Sequence, residues 1–570
     1  METDIQVVQS SEPAGRRRIW LGALVLLILA AATRFIGLGS QNMWGDEVYS
    51  YIASKDLITK LLRWDTQANQ AHSPLPFIEM KVGRALFGNT EFGNRFVVAC
   101  YGTLAVLLLY VLLGRRLSWL AGFMAALMLA LNPFALEWSR EARMYSNWLA
   151  YALLTLIVVE EAVRFTLRRS AQGDWSSVLN WRWWLTGILL MLMHASTVHS
   201  VTTVAGTGAC LALIGLFLLG TRWRAGVMVL AGSALSGLVF LSSWSLTGIG
   251  KLLHYIHHPG SSGVVTHPRP LLANLDSVLT MVAGYLPTGW AIALWAAALA
   301  GIVLVFTRRR WVLGLLLIML LLSPWITYPV FSKELWWTGR YTFVAIITLS
   351  AGLGVVAAAL WTARNMRLRA LGRVVVLLGL AGMCLLWLPA WRAVFTQPKM
   401  QFKEALAPLY RKGHAGEAVI IVPDWYMSMT AYYPLPGELR PLIPPPQAIY
   451  DKFNFRRLVD PWPQPYVGDF VQAFKENPAQ GKPIPPATWL VLIDPLIKEN
   501  LPSDPAGSKP IDRIHRVLPV LAAYGVADPQ HVAELEHAAA GPNVLTLTVC
   551  VRPYELDDLS TTTARAEKYR

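Results

Sequence analysis

Long runs of apolar residues, separated by short polar segments, dominate the chain as far as residue 394. Each run is close to the roughly 20 residues that an α-helix needs to cross a bilayer. The stretch 183–220 is too long for one crossing, so we divide it near Ser200. The pattern predicts about eleven transmembrane helices, at residues 19–38, 95–113, 118–136, 146–163, 183–200, 202–220, 225–246, 284–306, 311–330, 342–361 and 374–394.

The composition supports a membrane protein. The chain of 570 residues is 54% hydrophobic and only 15% charged, whereas a soluble domain carries roughly 25% charged residues. The 24 tryptophans suit a membrane–water interface. The net charge of +15 would suggest nucleic-acid binding in a soluble protein. Here the basic residues lie in short loops, where they set the topology, so we expect no nucleic-acid partner.

The basic residues fall on alternate loops, as the positive-inside rule requires. Arg115–Arg116 and Arg308–Arg310 lie in loops of one parity, and acidic residues such as Asp46 and Glu141 lie in loops of the other. This predicts a cytoplasmic N-terminal tail at residues 1–18. An odd number of helices then places the C-terminus outside. We expect a multi-pass protein of the bacterial inner membrane.

Two outer loops and the tail are long enough to hold structure of their own. The loop 39–95 contains helical patterns, and the loop 247–284 is rich in His and Gly, which suggests mobility. After the membrane region 19–394, residues 395–570 have the composition of a soluble domain. They contain β-branched runs and helical patterns, which predict a periplasmic or extracellular α/β domain. The runs are Ala418–Val422, Trp489–Ile493 and Val544–Val551, and the helical patterns are 399–411 and 511–524.

The acidic pair Asp46-Glu47 directly follows the first apolar run. Acids are common on outer loops, so the pair could serve topology alone. The functional interpretation is a general base held at the bilayer surface, close to a lipid-borne substrate.

Three further motifs lie in outer loops. His72-Ser73-Pro74 forms a turn in the first loop. The loop after the third helix contains Glu141, Arg143 and Tyr145. Outside bases run against the positive-inside trend, so we expect anionic partners for the bases of this loop. For Arg143 that partner is either Glu141 or a substrate phosphate. The same argument applies to the bases around the motif that starts the tenth helix, which are Arg340, followed by Tyr341, and Lys333.

His194 and His199 lie near the outer end of the fifth helix. A histidine at a helix end is most often a hydrogen-bonded structural residue. Their i, i+5 spacing differs from the i, i+4 spacing that places two metal ligands on one helix face. We therefore expect structural roles for both.

The ordered set of outer motifs resembles the GT-C membrane glycosyltransferases. The set comprises an acidic pair after helix one, an HxPL turn, an ARMY-like loop after helix three and an RY at a late helix. The bacterial branch similar to protein O-mannosyltransferases and the lipid A aminoarabinose transferase fits best, over about residues 19–394. The resemblance implies a polyprenyl-phosphate-linked sugar donor, a lipid, glycan or protein acceptor, and transfer on the outer face.

The resemblance also implies roles for single residues. Asp46 would be the general base, with Glu47 and Glu141 as further catalytic candidates. The remaining motif residues would bind substrate: His72, Arg143, Tyr145, Lys333, Arg340 and Tyr341. A divalent metal stays open, because a Glu that binds metal in the aminoarabinose transferase has no counterpart in the turn Ala71-His72-Ser73-Pro74.

Two alternatives remain. The chain could be a GT-C-like partner of a polymerase, ligase or flippase, without transferase activity. It could also be a transporter of a lipid or small molecule. Transporters place polar residues near the bilayer midplane, in broken helices. Here the charged residues cluster at the outer helix ends, which favours chemistry at the interface.

Overall fold

The computed structural model describes residues 13–62, 73–242, 271–331, 339–396, 401–413, 418–422, 429–437, 440–441, 488–495, 531–540 and 544–553. The chain forms two compact units. The first comprises Met1–Ser40, Ala53–Pro259 and His267–Thr396, and the second comprises Gln41–Ile52, Gly260–Thr266 and Gln397–Arg570. The segment with the acidic pair thus belongs to the same unit as the C-terminal tail.

The described part of the first unit is helical, and α2 continues into it from the second unit. In chain order the helices are α1 (Pro13–Phe35), α2 (Gly45–Lys55), α3 (Ile58–Leu62), α4 (Leu75–Phe87), α5 (Glu91–Arg116), α6 (Trp119–Leu131), α7 (Pro133–Ser139), α8 (Tyr145–Ala171), α9 (Trp181–Ser196), α10 (Val201–Thr221), α11 (Trp223–Ser242), α12 (Leu271–Val282), α13 (Thr288–Thr307), α14 (Trp311–Phe331), α15 (Ala345–Trp361) and α16 (Met366–Thr396). Short 3₁₀ turns lie at Trp175–Leu179, Val198–Ser200 and Gly339–Thr342.

Every predicted apolar run overlaps at least one of these helices. Within the described ranges, six helices are long and apolar enough to cross a membrane. The bent pair α6–α7 would make seven. The chain is therefore a multi-pass membrane protein, while the count of eleven spans remains a prediction. The predicted division near Ser200 is confirmed, because α9 ends at Ser196 and α10 begins at Val201.

The predicted outer loops contain helices. As expected, the first loop holds the short helices α2, α3 and α4. The second loop differs from the prediction, because its end forms α12. The sequence LLANLDSVLTMV explains this difference, since it is rich in leucine and free of Gly and Pro.

Two of the acids on the predicted cytoplasmic side are balanced by arginines. Glu160 and Glu161, near the end of α8, both pair with Arg116 of α5. Arg164 lies 3.6 Å from Glu160, and Arg115 lies 3.8 Å from Glu161. These pairs neutralise the two acids locally, so the acids do little to weaken the basic bias of this side.

The described tail residues of the second unit contain one helix and a five-stranded sheet. They are α17 (Phe402–Lys412), β1 (Ala418–Val422), β2 (Arg440–Pro441), β3 (Thr488–Pro495), β4 (His531–Ala540) and β5 (Val544–Pro553). The strand order is β2-β1-β3-β5-β4. The pairs β2–β1 and β1–β3 are parallel, and the pairs β3–β5 and β5–β4 are antiparallel. All three predicted strands and the first predicted helix of the tail are confirmed; the second, at 511–524, lies outside the described residues.

Candidate functional site

The predicted outer loop after α6 begins with a sharp bend at Asn132-Pro133. The Oδ1 of Asn132 accepts hydrogen bonds from the backbone N–H groups of Phe134 (2.9 Å) and Ala135 (3.2 Å). Pro133 suits the first position of α7, where its missing N–H costs nothing. The two helices meet at 65°. This bend ends the apolar helix and turns the chain toward the loop that carries the predicted site residues.

Aromatic rings join that loop to the turn at Gly339–Thr342. Tyr145 is fully buried, with its ring 4.4 Å from Trp138 and 6.1 Å from Phe343. Phe343 also lies 5.2 Å from Phe134 of α7. The loop that contains Tyr145 and the turn that contains Arg340 and Tyr341 therefore meet within the first unit.

Arg340 and Tyr341 form a cluster with His199. The Nη2 of Arg340 lies 3.4 Å from the hydroxyl of Tyr341, and its Cζ lies 5.3 Å from the centre of that ring. The ring of His199 stacks on Tyr341, with centroids 4.0 Å apart. Sequence reasoning assigned His199 a structural role only. Its position beside the predicted division between two apolar runs was the one sequence feature that could have indicated a role in the site.

The turn of the second motif reaches the end of α9. The hydroxyl of Ser73 donates a hydrogen bond of 2.8 Å to the backbone oxygen of His194. His194 is fully buried, with Nδ1 3.4 Å from the hydroxyl of Ser200, which supports a structural role. The predicted binding residues His72 and Lys333 lie outside the described residues.

Glu141 and Arg143 are both buried in the loop, with exposures of 2% and 4%. The backbone N–H of Arg143 donates to the backbone oxygen of Glu141 at 2.7 Å, which makes this a tight turn. Burial of both charged side chains in one turn means that each needs compensation by hydrogen bonds or opposite charge. The choice between Glu141 and a substrate phosphate as the partner of Arg143 stays a prediction.

Arg140, in the same loop, departs from the expectation of an anionic partner. Its guanidinium donates to the backbone oxygens of Thr33 (3.2 Å), Arg34 (3.1 Å), Ile36 (2.8 Å) and Gly37 (2.9 Å). These carbonyls lie at the C-terminal end of α1, where the helix leaves acceptors unsatisfied and carries partial negative charge. The backbone thus supplies the partner that we expected from an acid. These contacts of Arg140 are hard to predict from the sequence, because they join segments that are far apart in the chain.

Glu79 of α4 is a buried acid that the sequence did not single out. It is 7% exposed, and its Oε2 accepts a hydrogen bond from the Nδ2 of Asn147. The hydroxyls of Tyr101 and Tyr151 lie beside it, 2.8 Å apart. Burial raises the pKa of Glu79 to about 8, against the lowering effect of hydrogen bonds from Tyr101 and Asn147. At neutral pH the carboxyl is therefore mostly protonated.

The acidic pair lies in the second unit, at the start of α2, where its two members have different surroundings. Glu47 is fully buried, and its Oε2 accepts a hydrogen bond of 3.2 Å from the backbone N–H of Trp44. This is one half of a capping box, in which the third helical residue reaches back to the cap. Asp46 is half-buried in the first turn. Asp46 is therefore the more accessible of the two carboxylates.

Within the part of the chain that the structure describes, no group of three or more His, Cys, Asp or Glu side chains is placed to hold a metal ion. The described site therefore consists of arginines, aromatic rings and carboxylates. Such a set can bind a phosphate and accept a proton.

No protein-family model matches the chain. In sequence it matches the polyprenol-phosphate-mannose–protein mannosyltransferase of Mycobacterium tuberculosis, with 28% identity over 221 residues. The protein of the same name from Mycolicibacterium smegmatis matches with 28% identity over 203 residues. The chain is similar to polyprenol-phosphate-mannose–protein mannosyltransferases. These matches cover 35% and 32% of this chain, and 41% and 39% of the relatives' own length.

Solved structures resemble the chain in fold. The oligosaccharyltransferase of Archaeoglobus fulgidus in its apo form aligns with a TM-score of 0.50 and 13% identity, over 83% of this chain and 69% of that one. ArnT from Cupriavidus metallidurans bound to undecaprenyl phosphate aligns with a TM-score of 0.49 and 13% identity, over 93% and 98% of the two chains. The sequence matches bear out the predicted resemblance to protein O-mannosyltransferases, and the alignment with the oligosaccharyltransferase supports a shared fold.

Proposed function

We propose that this chain is a membrane glycosyltransferase that moves a sugar from a polyprenyl-phosphate donor to a hydroxyl acceptor. The observation that carries the proposal is the sequence match to polyprenol-phosphate-mannose–protein mannosyltransferases. The names of these relatives make mannose the first sugar to test, and a protein hydroxyl the first acceptor. The matched region is about two-fifths of each relative, so the specificity of this chain needs its own measurement.

The cluster in the first unit supports a phosphate-binding role. Arg340 presents a planar guanidinium beside Tyr341, at the turn that starts α15. A guanidinium can bind two phosphate oxygens at once, which makes arginine well suited to a phosphate that becomes a leaving group. Arg143, Lys333 and His72 are further candidates for contacts with the donor. Tyr145 is another candidate, and its ring packs against that of Trp138.

The proposed chemistry is displacement at the anomeric carbon. Asp46 accepts the proton of the acceptor hydroxyl, whose oxygen then forms a bond to C1 of the sugar. The bond between C1 and the phosphate oxygen breaks, and the lipid phosphate leaves with the electron pair. Positive charge near that phosphate stabilises the transition state. Glu141 is the next candidate for the base, while the capping contact of Glu47 makes it the weaker one.

The proposed arrangement has eleven spans, with the acidic pair and an α/β domain at 395–570 on the outer face of the inner membrane. It is testable with an impermeant thiol reagent on intact spheroplasts. Lys403, which is exposed on α17, and Arg309, between α13 and α14, are suitable sites for single cysteines. We expect Lys403→Cys to be labelled and Arg309→Cys to be protected. The reverse pattern would overturn this topology.

Purified protein in lipid nanodiscs tests the transfer itself. It would be incubated with polyprenyl-phosphate mannose and peptides rich in Ser and Thr, with and without a chelator. We expect a hexose on the peptide and an equal amount of free polyprenyl phosphate. A lipid or glycan acceptor would replace the peptide in a second series. If sealed vesicles moved the donor or a small solute without any covalent transfer, the transporter alternative would replace the proposal.

A further inference from the structure

The backbone just before the acidic pair is attached to the tail. The backbone N–H of Met43 donates a hydrogen bond of 2.8 Å to the hydroxyl of Tyr433, across 390 positions of sequence. Met43 is fully buried and Tyr433 is 7% exposed. A buried N–H needs a partner, and at this position the tail provides it.

Tyr433 is itself fixed by its neighbours within the second unit. Its ring lies 6.0 Å from Phe402 of α17 and 4.8 Å from Tyr432. Its backbone N–H donates to the backbone oxygen of Met429 at 2.9 Å. Phe402 and Met429 are fully buried, so the hydroxyl is presented from a packed position.

Two more contacts lie on either side of Asp46. Before it, the Nδ2 of Asn42 donates to the Oε2 of Glu404 on α17, at 2.5 Å. After it, the ring of Tyr51 meets that of Tyr432 edge to face, with centroids 4.9 Å apart. Residues of the tail therefore contact the segment on both sides of Asp46.

We propose that the C-terminal region positions the acidic pair, with Tyr433 and Glu404 as positioning residues for the Asp46 carboxylate. The inference rests on the proposed role of Asp46 as general base. A base must lie within hydrogen-bond reach of the proton that it removes, and small displacements of a reacting group cost large factors in rate. The tail is thus part of the machinery for turnover, acting through the start of α2.

Tyr433→Phe tests the main contact, because it removes the hydroxyl and keeps the ring. We expect kcat to fall by about tenfold, with the KM for polyprenyl-phosphate mannose unchanged, since a misplaced base slows chemistry rather than donor binding. Hydrogen exchange of the backbone amides from Met43 to Ser50 should become faster. The matched control is Tyr410→Phe, which removes a tyrosine hydroxyl bonded to the backbone of Pro434 in the same region. We expect that variant to keep normal turnover.

An exchange of partners tests the second contact. Asn42→Asp sets two carboxylates against each other and should lower kcat. Adding Glu404→Gln restores one amide donor and one carboxylate acceptor with their roles exchanged, and should return kcat to within about twofold of the original. Rescue of this kind would not follow if the two residues served only separate, unrelated packing.

The outcomes separate the two proposals. Unchanged kcat and unchanged amide exchange in Tyr433→Phe would overturn the positioning role, as would an equal loss in Tyr410→Phe or a failed rescue. Faster amide exchange in Tyr433→Phe, combined with a wild-type protein that transfers no sugar from any donor, would leave the attachment of α2 to the tail standing. That result would overturn the proposed function, and with it the catalytic meaning of the attachment.

Discussion

The ring of His199 lies against that of Tyr341, with the two ring planes only 28° from parallel. His199 belongs to the 3₁₀ turn between α9 and α10, and Tyr341 to the turn before α15. The stack holds Tyr341, and with it the neighbouring Arg340, from the side of α9. This relationship predicts that His199 acts on donor binding through its ring.

His199→Ala should weaken binding of polyprenyl phosphate by about 0.5–1.5 kcal/mol, the range for an aromatic pair. His199→Phe keeps a ring of similar size and should retain most of the affinity. Titration of the purified variants with polyprenyl phosphate would measure both. Equal losses in the two variants would instead indicate that the imidazole itself, through charge or hydrogen bonding, contacts the ligand.

Arg340 should contribute more to donor binding than its neighbours. Arg340→Ala should weaken the binding of polyprenyl phosphate by about 1.5–3 kcal/mol, the range for a hydrogen bond to a charged group. Arg340→Lys should recover little of this, because an ammonium cannot form the two parallel bonds of a guanidinium. The same titration checks both variants. Full affinity in Arg340→Ala would remove the phosphate role from this residue.

The two members of the acidic pair should differ sharply on substitution. Asp46→Asn removes basicity with little change in size, and should lower turnover by roughly a hundredfold or more, the usual range for a general base. Glu47→Gln keeps an oxygen that can accept from the N–H of Trp44, so its effect should be smaller. Initial rates with saturating polyprenyl-phosphate mannose would compare them. Similar small effects in both would indicate a structural segment, and Glu141 would become the next candidate.

Glu79 should make the stability of the protein depend on pH. Its ordinary pKa of 4.5 applies in the unfolded chain, and burial raises it to about 8 in the fold. Unfolding then releases a proton between these values, so stability should fall as the pH rises from about 4.5 to about 8. The groups facing the carboxyl are Tyr101 and Tyr151 of α5 and α8, with Asn147.

Glu79→Gln removes this titration while keeping an acceptor for Asn147. Melting temperatures in detergent, measured from pH 5 to pH 9, should show a shallower decline for the variant than for the wild type. The variant should also be the more stable protein at the alkaline end. Parallel curves for the two proteins would show that the pH dependence arises from other groups.

Arg140 should matter for folding rather than for chemistry. Arg140→Met removes the guanidinium donor from the carbonyls of Thr33, Arg34 and Ile36, while that of Gly37 keeps its bonds from Ser40. The variant should have a free energy of unfolding lower by about 3 kcal/mol or more, on the scale of hydrogen bonds to a charged group. Turnover per folded molecule should be unchanged. Melting temperature and kcat, measured on the same preparation, would check this. A loss of donor affinity at full stability would instead point to a phosphate contact.

The sequence predicted the helices well because long apolar runs admit few alternatives in a bilayer. It proposed Arg340 and Tyr341 as candidates through a local signal, a base in a predicted outer loop. It gave His199 only a structural role and did not single out Glu79, because the contacts of both depend on neighbours far away in sequence, such as Tyr341 and Asn147. The prediction of mobility was wrong for the end of the second loop. The His and Gly residues earlier in the loop dominated the interpretation, although the segment after them has a helical composition.

The partner of Asp46's segment was also beyond sequence reasoning. A buried N–H at Met43 carries no mark in the sequence, and the tyrosine that satisfies it lies 390 positions later. Asp46 and Glu47 are both acidic and adjacent, so the sequence does not distinguish their roles. The capping contact between Glu47 and Trp44 does distinguish them. Local patterns therefore find candidate groups, while packing decides what each group does.

The hydrogen bonds from Arg140 to the end of α1 have a consequence for biogenesis. The four carbonyls precede their donor by 103 to 107 positions. During synthesis, the carbonyls at the end of α1 therefore gain these hydrogen bonds only after α5, α6 and α7 have been made. Until then the carbonyls of Thr33, Arg34 and Ile36 depend on water and lipid headgroups for hydrogen bonds, whereas that of Gly37 is already bonded by Ser40. We expect nascent chains that stop before residue 140 to hold α1 loosely, and to be the species that membrane proteases recognise first.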